Sequence, residues 1–345
     1  MMKRQFVRKR ALWIVLLALA MIVAGTIAAA LAEDDGVCPT LVFRDRLYDV
    51  TFVDDNEAWV VGYPGLVMHT TDGAQTWDRE CELGDFALFA VDFVGKDLGW
   101  AVGRAGKIIH TVDGGKTWVP DQPVIEEALF DVDFADAKHG IAVGNFGVLA
   151  RTEDGGQTWI DQVLEPMANA QINAVSFVNE HLAFIVGEYP LWEAQLDENV
   201  QMSTLSNIFR STDGGATWHT VHTGHQVVLN DVVFKDEREG WVTGVNGLLL
   251  HTTDGGETWQ AIDTGVKVHL NKIALGPDAL WVAGLEGTLI KVAGAQATLV
   301  GLKAYTWLSA VGFSPTGMGV VIGGRGTLFA TQDNGGKWTE FPIKR

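Results

Sequence analysis

Cysteine and proline are scarce in this chain of 345 residues, with two Cys and nine Pro. Two cysteines permit at most one disulfide, Cys38–Cys81, and sequence alone does not supply the Cα separation such a bond needs. Few prolines beside 40 Gly and 13 Trp disfavour a disordered chain and suit an all-β protein of tight turns and packed sheets. Basic charge is scarce as well. Lys3, Arg4, Arg8, Lys9 and Arg10 all precede residue 11, and the rest carries 20 Lys and Arg against 43 Asp and Glu, a net −23. That balance disfavours nucleic acid and anionic headgroups as partners and permits basic ones.

The basic head is followed by Ala11 to Ala32, 22 residues without a charge, closing on Ala30-Leu31-Ala32 before Glu33-Asp34-Asp35. This pattern reads as an export signal, or as a retained helical anchor long enough to span a bilayer. Either reading exports the remainder, to the periplasm or to the outer side of the inner membrane, where disulfides persist. Membrane association follows if residues 1–32 are kept. Residues 33–46 then form an N-terminal segment and 47–345 the main domain.

Self-similarity dominates that domain. Six copies of one pattern are Thr70-Thr-Asp-Gly-Ala-Gln-Thr-Trp77, Thr111-Val-Asp-Gly-Gly-Lys-Thr-Trp118, Thr152-Glu-Asp-Gly-Gly-Gln-Thr-Trp159, Ser211-Thr-Asp-Gly-Gly-Ala-Thr-Trp218, Thr252-Thr-Asp-Gly-Gly-Glu-Thr-Trp259 and Thr331-Gln-Asp-Asn-Gly-Gly-Lys-Trp338. Their Trp residues are spaced 41, 41, 59, 41 and 79 apart. The spacing of 59 marks an insertion over 188–206, and the spacing of 79 hides a decayed copy at Val292 to Leu299, with Gly294 in place of Asp. Upstream of each copy runs a Trp-Val-Gly signature, such as Trp59-Val-Val-Gly62 and Trp281-Val-Ala-Gly284, seven in all. Further upstream lie seven runs of the type Leu47-Tyr-Asp-Val-Thr-Phe52. Four short apolar runs per unit of about 40 residues predict a seven-bladed β-propeller of four-stranded blades. No repeat contains a stretch of helical period, which excludes a helical solenoid. The last outer strand comes either from Trp338 to Pro342 or from Cys38 to Phe43.

In each eight-residue box the Asp carboxylate accepts backbone N–H groups of its own turn, the glycines supply positive φ, and Trp packs between sheets. Asp72, Trp77, Asp113, Trp118, Asp154, Trp159, Asp213, Trp218, Asp254, Trp259, Asp333 and Trp338 are therefore structural. The boxes lack the run of oxygen ligands of a calcium loop, so no metal or cofactor is expected. These boxes resemble the Asp-box, or bacterial neuraminidase, repeat. Together with the Trp-Val-Gly-x-x-Gly run, the 41-residue register is similar to the photosystem II stability/assembly factor family of seven-bladed propellers, over about residues 40–345. The resemblance implies a non-catalytic, monomeric scaffold that binds a protein client such as a membrane-complex subunit. The acidic composition departs from the arginine-rich patch of cyanobacterial members.

Recognition on propellers usually sits on the face of the turns between second and third strands, or in the channel. Those turns offer Tyr63, Arg104, Phe146, Asn246, Glu286 and Arg325, and the insertion adds Tyr189 and Trp192. Trp192 and Trp307 are the tryptophans outside both signatures and the N-terminal segment. His219, His222 and His225 are spaced by three, which on a strand sets neighbours on opposite faces and disfavours a shared metal. The alternative is a carbohydrate-active Asp-box propeller, which requires two placed carboxylates, or a Tyr with an arginine trio in a sialidase. Neither constellation is evident, so no enzyme is expected.

Overall fold

The computed structural model describes residues 41–80, 83–121, 125–168, 170–188 and 207–342. The expected N-terminal helix, Cys38, Cys81, Tyr189 and Trp192 lie outside the described residues.

Each run of the Leu-x-x-Val-x-Phe type becomes the inner strand of a four-stranded antiparallel sheet. The seven are Arg46–Phe52, Leu88–Val94, Leu129–Phe134, Ile172–Phe177, Leu229–Phe234, Leu270–Leu275 and Leu308–Phe313. Every sheet is a simple meander of consecutive strands. Each inner strand touches the next around a ring, and the seventh touches the first. The fold is an all-β seven-bladed propeller.

The Trp-Val-Gly runs are the second strands, and they are buried from end to end. A strand covered by a neighbouring blade on both faces must be apolar at every position, not at alternate ones. One apolar cluster fills each of the seven junctions between blades. Stacked rings organise them: Trp100 lies 3.6 Å from Phe134 and Trp281 5.0 Å from Phe313, centroid to centroid. Box tryptophans close the stacks edge-on, as Trp159 does against Phe134 at 88°.

The box geometry repeats in detail. Asp213 accepts the Thr217 N–H at 2.9 Å, the Thr217 hydroxyl at 2.6 Å and the Ser211 hydroxyl at 2.8 Å. The Ser211 oxygen in turn accepts the Gly215 N–H at 2.8 Å. These donors, the Thr217 hydroxyl foremost, hold the Asp213 carboxyl down at about 2. A folded-state value below the unfolded one gives stability that is present above about 4 and lost as pH falls toward 2. Asp213→Ala is expected to cost about 1 kcal/mol at pH 7, as a lost turn cap does. Urea midpoints of the two proteins should converge as pH falls from 4.

Blade six corrects the decayed-box reading. The strands Leu289–Ala293 and Gln296–Val300 pair directly, Ala293 opposite Gln296, so the chain reverses in two residues, Gly294 and Ala295. With no Asp to collect the turn's N–H groups, the segment adopts the shortest hairpin, with Gly294 at φ +59°.

The ring closes without a shared sheet. The strand Thr339–Glu340 is the outer strand of blade seven, so of the two candidates the C-terminal one supplies it. Leu41, fully buried, packs into the cluster between blades seven and one instead. The Ser309 hydroxyl donates to the Leu47 carbonyl at 2.6 Å, and Gly326 N–H to the Asp45 carbonyl at 2.8 Å.

Candidate binding face

The turns between second and third strands are built by two close approaches. A Cβ on Gly103 would lie 2.0 Å from the Ala87 carbonyl oxygen, and one on Gly106 would lie 1.8 Å from that of Ile125. The first glycine therefore admits the start of the inner strand, and the second admits the connection arriving from the outer strand of the same blade. Both loop sets consequently share one face. Between the glycines sit two free residues. The first donates its N–H inward, as Arg104 does to Ala87 at 3.0 Å and Asn145 to Ala128 at 2.9 Å.

The second of the two stands out into solvent with positive φ: Ala105, Phe146, Asn246, Glu286 and Arg325 lie between 55° and 59°. The expected face residues thus occupy two registers, not one. Tyr63 and Arg104 hold the first, and Phe146, Asn246, Glu286 and Arg325 the second. Non-glycine residues in this region carry strain, and an exposed turn gives no packing in return, which marks the positions as candidates for function.

Blade seven collects what the turns elsewhere lack. Its turn is Gly323-Gly324-Arg325-Gly326, and a Cβ on Gly324 would meet the Trp307 ring at 2.4 Å. Trp307 therefore lies flat on the turn, 36% exposed, while the Arg325 guanidinium sits 5.7 Å over the Phe43 ring. Tyr305, two residues before Trp307, is 86% exposed, the most of the large apolar residues among those described. The sequence singled out Trp307 but neither Phe43 nor Tyr305. Both sit in connections between repeats, where no register marks them.

Charge is segregated on this face. Arg44, Arg46, Lys303 and Arg325 around blades seven and one, and Arg104 on blade two, are exposed. Among the described residues none of them forms an ion pair, whereas Arg79, Lys96, Arg151, Arg210, Lys235 and Lys291 do. Tyr63 sits between Arg46 and Arg104, and its hydrogen bond to Asp85 raises its hydroxyl above the ordinary value. Across the face the exposed charged residues are mostly acidic, Glu126, Glu165, Asp263 and Glu286, with Lys267 an exposed cation beside Asp263.

The channel beneath is lined by a cluster of ionisable groups. A bulge in every inner strand turns one residue out of the ladder: Tyr48, Phe89, Phe130, Asn173, Asn230, Asn271 and Ser309. The next residue faces the neighbouring blade. Asp49 accepts the Val91 N–H at 3.0 Å, Asp131 that of Val175 at 3.0 Å and Asp231 that of Ile273 at 2.7 Å. Two residues further along their strands, Asp92 accepts from Phe134 at 2.9 Å and Asp133 from Phe177 at 2.6 Å. Lys272 of blade six reaches Asp131 at 3.3 Å and Asp231 at 3.5 Å. Burial pushes Asp49 and Asp133 up to about 6 and Asp231 to about 7, with Lys272 pulling each back down. Burial opposes the Lys272 ammonium, yet Asp131, Asp231 and Asp49 outweigh it and hold it well above its usual value. The sequence reading missed this cluster, although Asp49, Asp131, Asp231 and Lys272 share one repeat register and Asp92 and Asp133 another.

Three histidines that share one repeat register, His69, His110 and His251, pack and bond within their blades. His69 stacks on Trp59 at 3.8 Å and bonds Glu57 at 2.8 Å, and His251 repeats this on Trp241 with Glu239. His110 departs by bonding Asp121.

The model of the family described as photosynthesis system II assembly factor YCF48 matches residues 38–122, 120–206, 191–269 and 211–299. Among solved structures, YCF48 bound to D1 peptide is 21% identical with a TM-score of 0.66, over 86% of this chain and 95% of that one. YCF48 from Cyanidioschyzon merolae is 21% identical with a TM-score of 0.65, over 84% and 96%. A GH74 xyloglucanase from Xanthomonas campestris is 14% identical with a TM-score of 0.67, over 86% of this chain and 53% of that one. At these identities the likeness is one of fold. No curated protein matches in sequence.

Proposed function

The chain belongs to the YCF48 photosynthesis system II assembly factor family, and on that premise we propose that it is a non-catalytic scaffold holding an exposed segment of a membrane-protein client on its turn face, in assembly or stabilisation of a membrane complex. One observation carries this reading: Arg44, Arg46, Arg104, Lys303 and Arg325, which form no ion pair among the described residues, lie with Phe43, Tyr305 and Trp307 on the turns and connections of blades seven, one and two, on an otherwise acidic protein. Opposite-sign charge steers a partner, and exposed aromatic side chains anchor it. The client segment this arc fits is extended, acidic and interrupted by apolar side chains. The D1 peptide bound by a related propeller is a precedent for a peptide ligand. The export signal, the outer-side location and the recognition role of Tyr189 and Trp192 belong to the same proposal.

A glycosidase reading requires carboxylates free to act on a sugar. The channel carboxylates here are each engaged by a backbone N–H of the next blade, which favours the scaffold. The test is charge reversal. Arg46→Glu with Arg104→Glu should reduce client capture at low salt at least tenfold without moving the melting temperature, on the scale of a few kcal/mol for lost and reversed charge contacts. Undiminished capture by the folded double variant would remove this arc as the site.

A further inference from the structure

On the opposite face each box packs against the blade before it. A Cβ on Gly115 would lie 2.0 Å from the Trp59 ring, one on Gly215 2.3 Å from Ile141, one on Gly256 2.7 Å from Phe184 and one on Gly335 2.1 Å from Trp281. Gly156 covers Trp100 in the same way, and the Trp100 indole N–H donates to the Gly155 carbonyl at 3.1 Å. In blade one the box residue Ala74 joins the cluster that holds Val320 of blade seven. A glycine turn laid flat on the residue that opens the second strand is thus how this protein covers that residue.

Trp241 of blade five is the exception. Its cover would come from blade six, where the chain reverses through Gly294 and Ala295, and a Cβ on Gly294 would meet nothing within 4 Å. What remains between blades five and six is a cleft of about 250 Å³ floored by Trp241 and walled by His251, Glu239, Pro277, Asp278 and Leu280. Trp241 is 8% exposed, against 1% for Trp59, 2% for Trp100 and 0% for Trp281. Its ring stacks on His251 at 4.9 Å.

We propose that this cleft is a docking site for a glycine-containing tight turn of the Asp-Gly-Gly type, supplied by another polypeptide, whose glycine peptide plane lies on Trp241. The occupant's chemistry follows from the six boxes of the chain itself. A side chain at the covering position is sterically excluded wherever that position is glycine. A second copy of this chain is a poor source, because its own boxes are already seated on neighbouring blades. The site lies on the face opposite the cationic arc and stands independently of the client reading.

The test uses the full-length chain, ¹⁵N-labelled in mild detergent, titrated with an unlabelled disulfide-cyclised peptide carrying the sequence of residues 252–259. The Trp241 indole resonance, assigned by its loss in Trp241→Phe, should shift saturably. Binding should weaken at least tenfold for a peptide with its second glycine changed to Ala, and likewise for Ala279→Phe, which fills the cleft from its rim. No shift at millimolar peptide, or equal binding of the Ala-containing peptide, would overturn the proposal. The peptide comparison decides the matter even if Ala279→Phe folds poorly.

Discussion

Lys272→Met should destabilise the propeller by about 3–5 kcal/mol at pH 8, the usual cost of stripping a buried ion pair of one partner, and by much less at pH 5. The variant keeps most of the stem volume but removes the ammonium that lies 3.3 Å from Asp131 and 3.5 Å from Asp231. Five carboxyl groups face the channel, Asp49, Asp92, Asp131, Asp133 and Asp231; blades four, six and seven contribute none at these levels. Asp49, Asp133 and Asp231 titrate in the folded state at about 6, about 6 and about 7, above an ordinary value of 3.8. The folded protein therefore binds protons that the unfolded chain has released. Stability from these groups is full below about 4 and is lost as pH rises through 6 to 7. Lys272 limits that loss, so its removal steepens the decline. Urea midpoints at pH 5 and pH 8 measure it. Asp231→Asn in the Lys272→Met background should recover much of the loss at pH 8, since the amide oxygen still accepts the Ile273 N–H while one buried charge is gone. A pH-independent cost of Lys272→Met would mean that the ammonium contributes through packing alone.

Gly115→Ala is the second large effect, about 2–4 kcal/mol. Its φ of +74° costs an alanine about 1 kcal/mol, and the new Cβ, 2.0 Å from the Trp59 ring, adds the overpacking cost of about 1–3 kcal/mol. Gly294→Ala is the control: φ is +59° but nothing lies within 4 Å, so only the backbone term of about 1 kcal/mol remains. Thermal denaturation of the two variants separates steric from conformational cost. Equal destabilisation would mean that the box glycines serve φ alone, and the cleft over Trp241 would lose its rationale.

The architecture was legible because its causes are local and repeated. Leu47, Trp59, Asp72 and Trp77 each recur at a fixed interval, and each plays one part per blade: inner strand, buried second strand, turn acceptor and junction ring. Blade six was misjudged at Gly294 because register assigns a copy its place but not its geometry; once the Asp is gone, a two-residue hairpin satisfies the same backbone groups. The turn face was half legible. Arg104 and Phe146 were read as equivalent, yet only backbone geometry tells an inward N–H donor from a residue thrown outward at positive φ. Phe43 and Tyr305 sit in connections that belong to no repeat. Net charge misled in a similar way, since −23 says nothing of where Arg44, Arg46 and Arg325 gather. Lys272 was invisible for another reason: its partner Asp131 is 141 residues away, and only ring closure brings them together.

The central claim is that this propeller holds a membrane-protein client on the cationic, aromatic arc of its turn face. Affinity capture of the full-length protein from gently solubilised native membranes, with mass spectrometry of what accompanies it, tests that most directly. A reproducible membrane-complex subunit should copurify with the wild-type chain and be lost with the folded Arg46→Glu/Arg104→Glu variant. A bait that returns clean, or one that brings the same subunit with and without the two arginines, would contradict the account.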